Sequence, residues 1–153
     1  MTFKATKMPL IYINCLRNTF DQSVKNKLAE ELTDIALQTE KLPDTAFVRS
    51  TCWIYFNEIT ADNIYKGGAN INPDDKIISL QVNVFKGGLD VAQKGILIEA
   101  FTACIRKYLN ISDTKIVPVY ILIKDIEETD WGVFGSRITL YDLQHPPKDA
   151  APV

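Results

Sequence analysis

The strongest constraint on the fold is an internal repeat: laid over itself at a shift of 69 positions, the sequence matches its own pattern. Leu16-Arg17-Asn18-Thr19-Phe20-Asp21 falls on Phe85-Lys86-Gly87-Gly88-Leu89-Asp90, each reading apolar, basic, two turn residues, apolar, acidic. Downstream, Leu28, Leu32, Ile35 and Ala36 fall on Leu97, Phe101, Cys104 and Ile105, a spacing of four, seven and eight that keeps each set on one helical face. Each half therefore carries one amphipathic helix. At a shift of 67, Asn57-Glu58-Ile59 falls on Lys124-Asp125-Ile126 and Gly68 on Gly135, so each half reads strand, helix, strand, glycine turn.

The strands are expected at Leu10 to Leu16 and Cys52 to Asn57 in the first half, and at Ile77 to Phe85 and Val117 to Lys124 in the second. The first helix is expected to start after Thr19, with Gln22 completing a capping box, and to end before Pro43. A strand-helix-strand unit with one crossover helix makes a parallel pair. The expected fold is α/β (α+β): a tandem β-α-β repeat with a four-stranded mixed sheet and both helices on one face. Leu10-Ile11-Tyr12-Ile13 is apolar on both faces, so the side away from the helices needs cover, and a second subunit supplies it most economically. The chain reads as one domain, 1–153, with an extension 1–8, a first unit about 9–68, a second about 74–143 and a proline-bearing tail 144–153.

At 153 residues, 46% of them hydrophobic, the chain is long enough for a sizeable core but not for two. A net charge of −2 argues against nucleic acid or an anionic membrane as partner, since both need a basic face. The most apolar window, Ile116 to Ile123, is strand-sized and holds Pro118. Cys15, Cys52 and Cys104 form neither an even disulfide set nor a metal-ligand cluster, which suits packed thiols in the cytoplasm. His145, the only histidine, lies in the tail, and no cofactor or metal site is read from the chain.

Pro9 stands directly behind Met8 at the head of the apolar run Pro9-Leu10-Ile11-Tyr12-Ile13. An amino-terminal proline is a secondary amine that works as a base; acylated by Met8, it is a tertiary amide with no basic lone pair. The alternative reading of Pro9 is the first residue of a strand, where it costs no ladder bond. Lys66-Gly67-Gly68 and Lys86-Gly87-Gly88 lack the spacing of a phosphate loop and read as turns.

Met8-Pro9-Leu10, Lys41-Leu42-Pro43, Tyr65-Lys66-Gly67-Gly68, Phe85-Lys86-Gly87-Gly88 and Asp130-Trp131-Gly132-Val133-Phe134-Gly135 follow one another in this duplicated frame. The combination resembles the tautomerase superfamily, which includes 4-oxalocrotonate tautomerase, malonate semialdehyde decarboxylase, cis-3-chloroacrylic acid dehalogenase and macrophage migration inhibitory factor. The resemblance implies a homotrimer with a pocket at each subunit interface and a free amino-terminal proline as cofactor-free general base. It implies Pro9 as the catalytic residue, and Lys86, Lys41, Tyr120 and Trp131 as residues that bind a small carboxylate substrate.

The departures narrow the chemistry. Gly88 stands where smaller relatives carry a second arginine, and Ala36, Leu122 and Val133 replace the histidine, tyrosine and glutamate with which the dehalogenase pattern activates water. Dehalogenation is not expected, and decarboxylation stays open; Asp44 aligns poorly with the decarboxylase aspartate. Each lining residue has a plainer reading: the lysines as solvated charges, Tyr120 and Trp131 as core or interface anchors. Two functions follow: an isomerase of small enol, keto or unsaturated acids in a chain that begins at Pro9, or a non-catalytic binding or structural trimer in which the extension blocks Pro9. In the second, Thr2 to Lys7 is expected to be ordered along a sheet edge or a neighbouring subunit.

Overall fold

The computed structural model describes residues 9–137, 139, 141–142 and 145–153. In chain order the elements are β1 (Leu10–Leu16), α1 (Gln22–Glu40), α2 (Ala46–Ser50), β2 (Trp53–Ile59), the short hairpin β3 (Tyr65–Lys66) and β4 (Ala69–Asn70), β5 (Ile78–Phe85), α3 (Val91–Tyr108), β6 (Val119–Ile126), and a second short hairpin, β7 (Gly132–Val133) and β8 (Ser136–Arg137). The expectation of an ordered arm at Thr2 to Lys7 lies outside the described residues.

The main sheet has the order β2-β1-β5-β6. Within each half the strands run parallel, β1 with β2 and β5 with β6, as one helical crossover requires. The halves meet through β1 and β5, which pair antiparallel with Leu10 opposite Asn83 and Cys15 opposite Ile78. The sheet is therefore mixed, as the repeat implied.

Alternation decides what faces the helices. Ile11, Ile13 and Cys15 of β1 and Ile78, Leu80, Val82 and Val84 of β5 are buried against Leu28, Leu32 and Ala36 of α1 and Leu97, Phe101, Cys104 and Ile105 of α3. These are the helical residues that the repeat matched, so the two halves share one core. Burying each such side chain contributes about 1.5–3 kcal/mol.

The helix starts differ from expectation in one detail. Asp21, not Thr19, caps α1, its carboxylate accepting from the Val24 N–H at 2.8 Å, while the Thr19 hydroxyl donates to the Leu16 carbonyl. An ionised carboxylate suits the positive helix end better than a hydroxyl. Asp90 caps α3 in the same repeat position, and there Gln93 completes the capping box. Strand ends shift by one or two residues: β2 starts at Trp53 and runs on to Ile59, and β6 starts at Val119 because Pro118 has no N–H for the ladder. The glycine turns prove to be two-residue hairpin loops with positive φ at both positions, Gly67-Gly68 (62° and 81°) and Phe134-Gly135 (50° and 82°).

No helix among the described residues is long and apolar enough to cross a membrane. If the halves share one core, Leu28→Ala and Leu97→Ala, both at fully buried repeat-equivalent positions, are each expected to cost about 2–5 kcal/mol. Urea denaturation followed by circular dichroism should show one cooperative transition in both variants; two separated transitions would show independent halves.

Candidate functional site

The antiparallel β1–β5 pairing gathers chemistry at one end of the sheet. Pro9, buried, immediately precedes Leu10, whose partner is Asn83 on β5. Two residues beyond Asn83, β5 delivers Phe85 and then Lys86 to the same end. β6, parallel to β5, ends there too, with Ile126 and Glu127. Since α1 must run back between two parallel strands, its C-terminus also reaches this end. Gln93 at the start of α3 donates to the Thr39 carbonyl near the close of α1 at 3.3 Å, which ties the helices together there.

Trp131 stacks on Phe85 with ring centroids 4.5 Å apart and planes 20° from parallel. Leu10, Ile126 and Val133 pack around this pair, and Trp131 is only 8% exposed. The hairpin that follows carries Phe134 to Trp53 on the far strand β2, centroids 6.2 Å apart. Phe134 holds a left-handed φ of 50°, costly for a bulky residue, so the loop is shaped to lay this ring across the sheet. The aromatic wall thus closes the sheet face beside Pro9.

Lys86 is exposed and forms an ion pair with Glu127. The hydrogen bond from its ammonium to Glu127, reinforced by the carboxylate's charge, raises the Lys86 pKa above the ordinary lysine value. The cation is permanent at neutral pH, and an anion arriving at it competes with Glu127. Lys41 closes α1 in the left-handed region (φ 53°), with Leu42 N–H bonding to the Leu37 carbonyl at 2.9 Å. Its side chain borders a groove of about 400 Å³ between the helices, shared with Thr39, Asp90 and Gln93. Lys41 is thus at the right end but on the helix side of the sheet.

Tyr120 lies elsewhere. It pairs with Ser79 at the start of β5, the opposite end of the sheet from Pro9, and is 79% exposed. Within one chain, Pro9, Lys86 and Trp131 lie at one end of the sheet and Tyr120 at the other. Asp44 is engaged on the surface, where Arg49 reaches both it (3.2 Å) and Asp34 (2.7 Å).

Two residues at the Pro9 end escaped the sequence reading. Asn83 is 4% exposed, and its side-chain amide donates to the Leu10 carbonyl at 3.0 Å while accepting from Gln81 at 2.9 Å. An asparagine inside the apolar run Val82-Asn83-Val84 was the available signal, since a buried amide needs partners. Glu127 had none, because its value lies in the loop that folds it onto Lys86. Burial pushes the thiol pKa values up, to about 11 for Cys15 and Cys52 and about 12 for Cys104, so none is a thiolate nucleophile near neutrality. Among the described residues no group of three His, Cys, Asp or Glu side chains is placed to hold a metal ion.

Residues 79–141 match the family model of the tautomerase enzymes. That stretch is the second β-α-β unit, from β5 through the β7–β8 hairpin, and it is similar to that family. Solved structures extend the likeness in fold to the first repeat. A wild-type fused 4-OT solved as an asymmetric trimer superimposes with a TM-score of 0.69 at 23% identity, over 84% of this chain and 94% of that one. A member of the cis-3-chloroacrylic acid dehalogenase family gives 0.69 at 16% identity, over 84% and 82% of the two chains. FG41 malonate semialdehyde decarboxylase inhibited by 3-bromopropiolate gives 0.62 at 16%, over 84% and 92%. No curated protein matches the chain in sequence.

Glu127 is the ion-pair partner of Lys86, the cation that follows β5 at the Pro9 end of the sheet. Glu127→Gln is expected to lower the Lys86 pKa toward the ordinary lysine value, read by NMR titration of the side-chain ε-methylene. Because the folded pKa is the raised one, whatever the pair contributes to stability is present below the ordinary lysine range and lost as pH climbs through the folded value. Both partners are more than half exposed, so the thermal midpoint at neutral pH should hardly change. An unaltered Lys86 titration would remove Glu127 as its partner.

Proposed function

We propose that the protein is a cofactor-free tautomerase-type isomerase of small enol, keto or unsaturated carboxylic acids, with Pro9 as general base in a chain that begins at Pro9. One observation carries this reading: the β1–β5 register brings Pro9, the Lys86 cation and the Trp131–Phe85 wall to the same end of the sheet. A free proline amine titrates near pH 8 (about 7.7–8.0), and burial beside a cation lowers that value toward neutrality, where a base is most effective.

In the proposed step, the neutral Pro9 nitrogen takes a proton from the enol oxygen or the acidic carbon, and the conjugate ammonium returns one at the other position. Nothing is oxidised or reduced and no group leaves. Lys86 attracts the substrate carboxylate as a point charge, without the two-pronged fix of an arginine, after the carboxylate displaces Glu127. The aromatic wall excludes water from the side of the reacting carbon. Lys41, on the helix side, assists only through its long-range charge. Decarboxylation is a further reaction that the same cation and base suit.

The measurement is direct. A chain beginning at Pro9 should tautomerise phenylenolpyruvate, and the chain that retains Met1 to Met8 should be at least about a hundredfold slower, as expected for loss of a general base. Equal rates in the two chains would take Pro9 out of the mechanism.

A second reading rests on a specific feature of this sequence. With Met8 attached, Pro9 has no basic lone pair, and the chain is then a non-catalytic binding or structural homologue. Inactivity of both chains would favour it.

The assembly proposed for either reading is a homotrimer. The sheet face away from the helices exposes Trp53 and Tyr55 on β2 and Tyr120 and Leu122 on β6, large apolar groups on the two outer strands. Fused 4-OT structures of the same fold are described as trimers. Light scattering at low micromolar concentration should give about three times the 17.3 kDa chain mass; a monomer would exclude this packing of the face.

A further inference from the structure

Among the described charged residues, Glu40 alone is fully buried, with 2% of its surface exposed. It is the last residue of α1 and continues the inward face of Leu32, Ala36 and Leu37. A carboxylate is costly to bury, so its position needs a reason. The repeat supplies the comparison. At the shift of 69, Glu40 falls on Leu109 and Lys41 on Asn110, the last two both in the left-handed region at φ 53°. The two helices thus end alike, but the first half has an acid where the second has an aliphatic side chain.

The same comparison shows what Glu40 faces. Ile78 is the repeat equivalent of Pro9 and pairs with Val119, and Ile78, Val119 and Leu109 all pack in the shared core. Since Leu10 pairs with Trp53, the register sets the buried Pro9 beside Cys52, as it sets Ile78 beside Val119. Cys52 lies under α1, its sulfur 3.7 Å from the Thr33 hydroxyl, and Thr33, Leu37 and Glu40 follow one another along the buried side of that helix. Burial raises the Cys52 thiol to about 11, and the charge of Glu40 adds to the rise. Pro9, Cys52 and Glu40 therefore hold the places that an apolar trio fills in the second half.

We infer that Glu40 is a positioning residue for Pro9, its buried carboxylate serving as counter-ion to the proline ammonium in a chain that begins at Pro9. This rests on the reading of Pro9 as the base. Burial and the Lys86 charge favour the neutral amine; Glu40 opposes them, so the amine keeps the proton between its two transfers. The other charged groups that face this end are engaged or exposed. Lys86 is held by Glu127, Lys94 by Asp125, and Arg49 of α2 by Asp34 and Asp44. Asp90 caps α3, while Lys41, Glu128 and Asp130 are exposed. Cys52 stays a neutral thiol.

The chain beginning at Pro9 contains every described element and the whole core. When its prolines are isotope-labelled at Cδ, only Pro9 titrates by NMR, because every other proline is acylated. Glu40→Gln should lower the Pro9 pKa by about one pH unit or more, and Glu40→Asp should titrate closer to the parent. Glu40→Met, an apolar substitute of similar length, should give the same downward shift and keeps the test open should the buried amide disturb folding. With phenylenolpyruvate, the acid limb of the kcat/KM profile should move with the NMR value. A Pro9 titration unchanged in both the Gln and Met variants would overturn the proposal. The two readings fail separately. A shifted titration without turnover upholds the counter-ion and sinks the tautomerase reading; turnover with an unshifted titration sinks the counter-ion alone.

Discussion

Everything in this molecule hangs on the antiparallel pairing of β1 with β5. Each β-α-β half alone is a two-stranded parallel ribbon with one helix, too small to bury its apolar side chains. Joining the halves through their first strands makes a four-stranded sheet and sets α1 beside α3, so that Leu28, Leu32, Leu97 and Phe101 fill one interior with Ile11, Ile13, Leu80 and Val82. The same register brings the start of one strand to the end of the other. A residue that precedes β1 and a residue that follows β5 reach the same end of the sheet although they are far apart in sequence.

The duplicated frame does not make the two ends alike. At the Pro9 end, aromatic side chains fill the space above the sheet, with Trp131 on Phe85 and Phe134 reaching Trp53. At the other end, Ile64 and Leu16 stand in those places and leave a cleft over a polar ladder of Asn57, Asn14 and Ser79. One backbone plan supports two different surroundings because packing density responds to side-chain volume while the hydrogen-bonded ladder does not. The charged residues follow the same logic. Lys86 and Glu127 meet because parallel strands β5 and β6 end together, not because of any local motif.

The face opposite the helices carries the tension left by this architecture. Two helices cover one side of a four-stranded sheet, and Tyr12 stacked on Tyr55 at 5.4 Å, with Trp53 and Leu122 nearby in the strand ladder, populate the other. Polar ladders thread between these apolar groups, and Gln81 and Asn83 satisfy each other and the Leu10 carbonyl. Such a face meets another surface without leaving buried amides unpaired.

Periodicity and repetition are local properties, and the sequence alone determined what depends on them: two copies of one unit, two helices with their inward residues, four strands with nearly correct limits, and Pro9 at the head of the first. The β-α-β order even settled which strands run parallel, since one helix must return the chain. Tertiary structure decided what depends on which residues come near which. It put Asp21 in the cap that Thr19 was expected to supply, because the helix begins two residues later, and it separated Tyr120 from Pro9 by the length of the sheet. It also turned Lys41 to the helix side and folded Glu127 onto Lys86. Those outcomes rest on strand register and loop paths, set by contacts between residues tens of positions apart, and no local pattern encodes them.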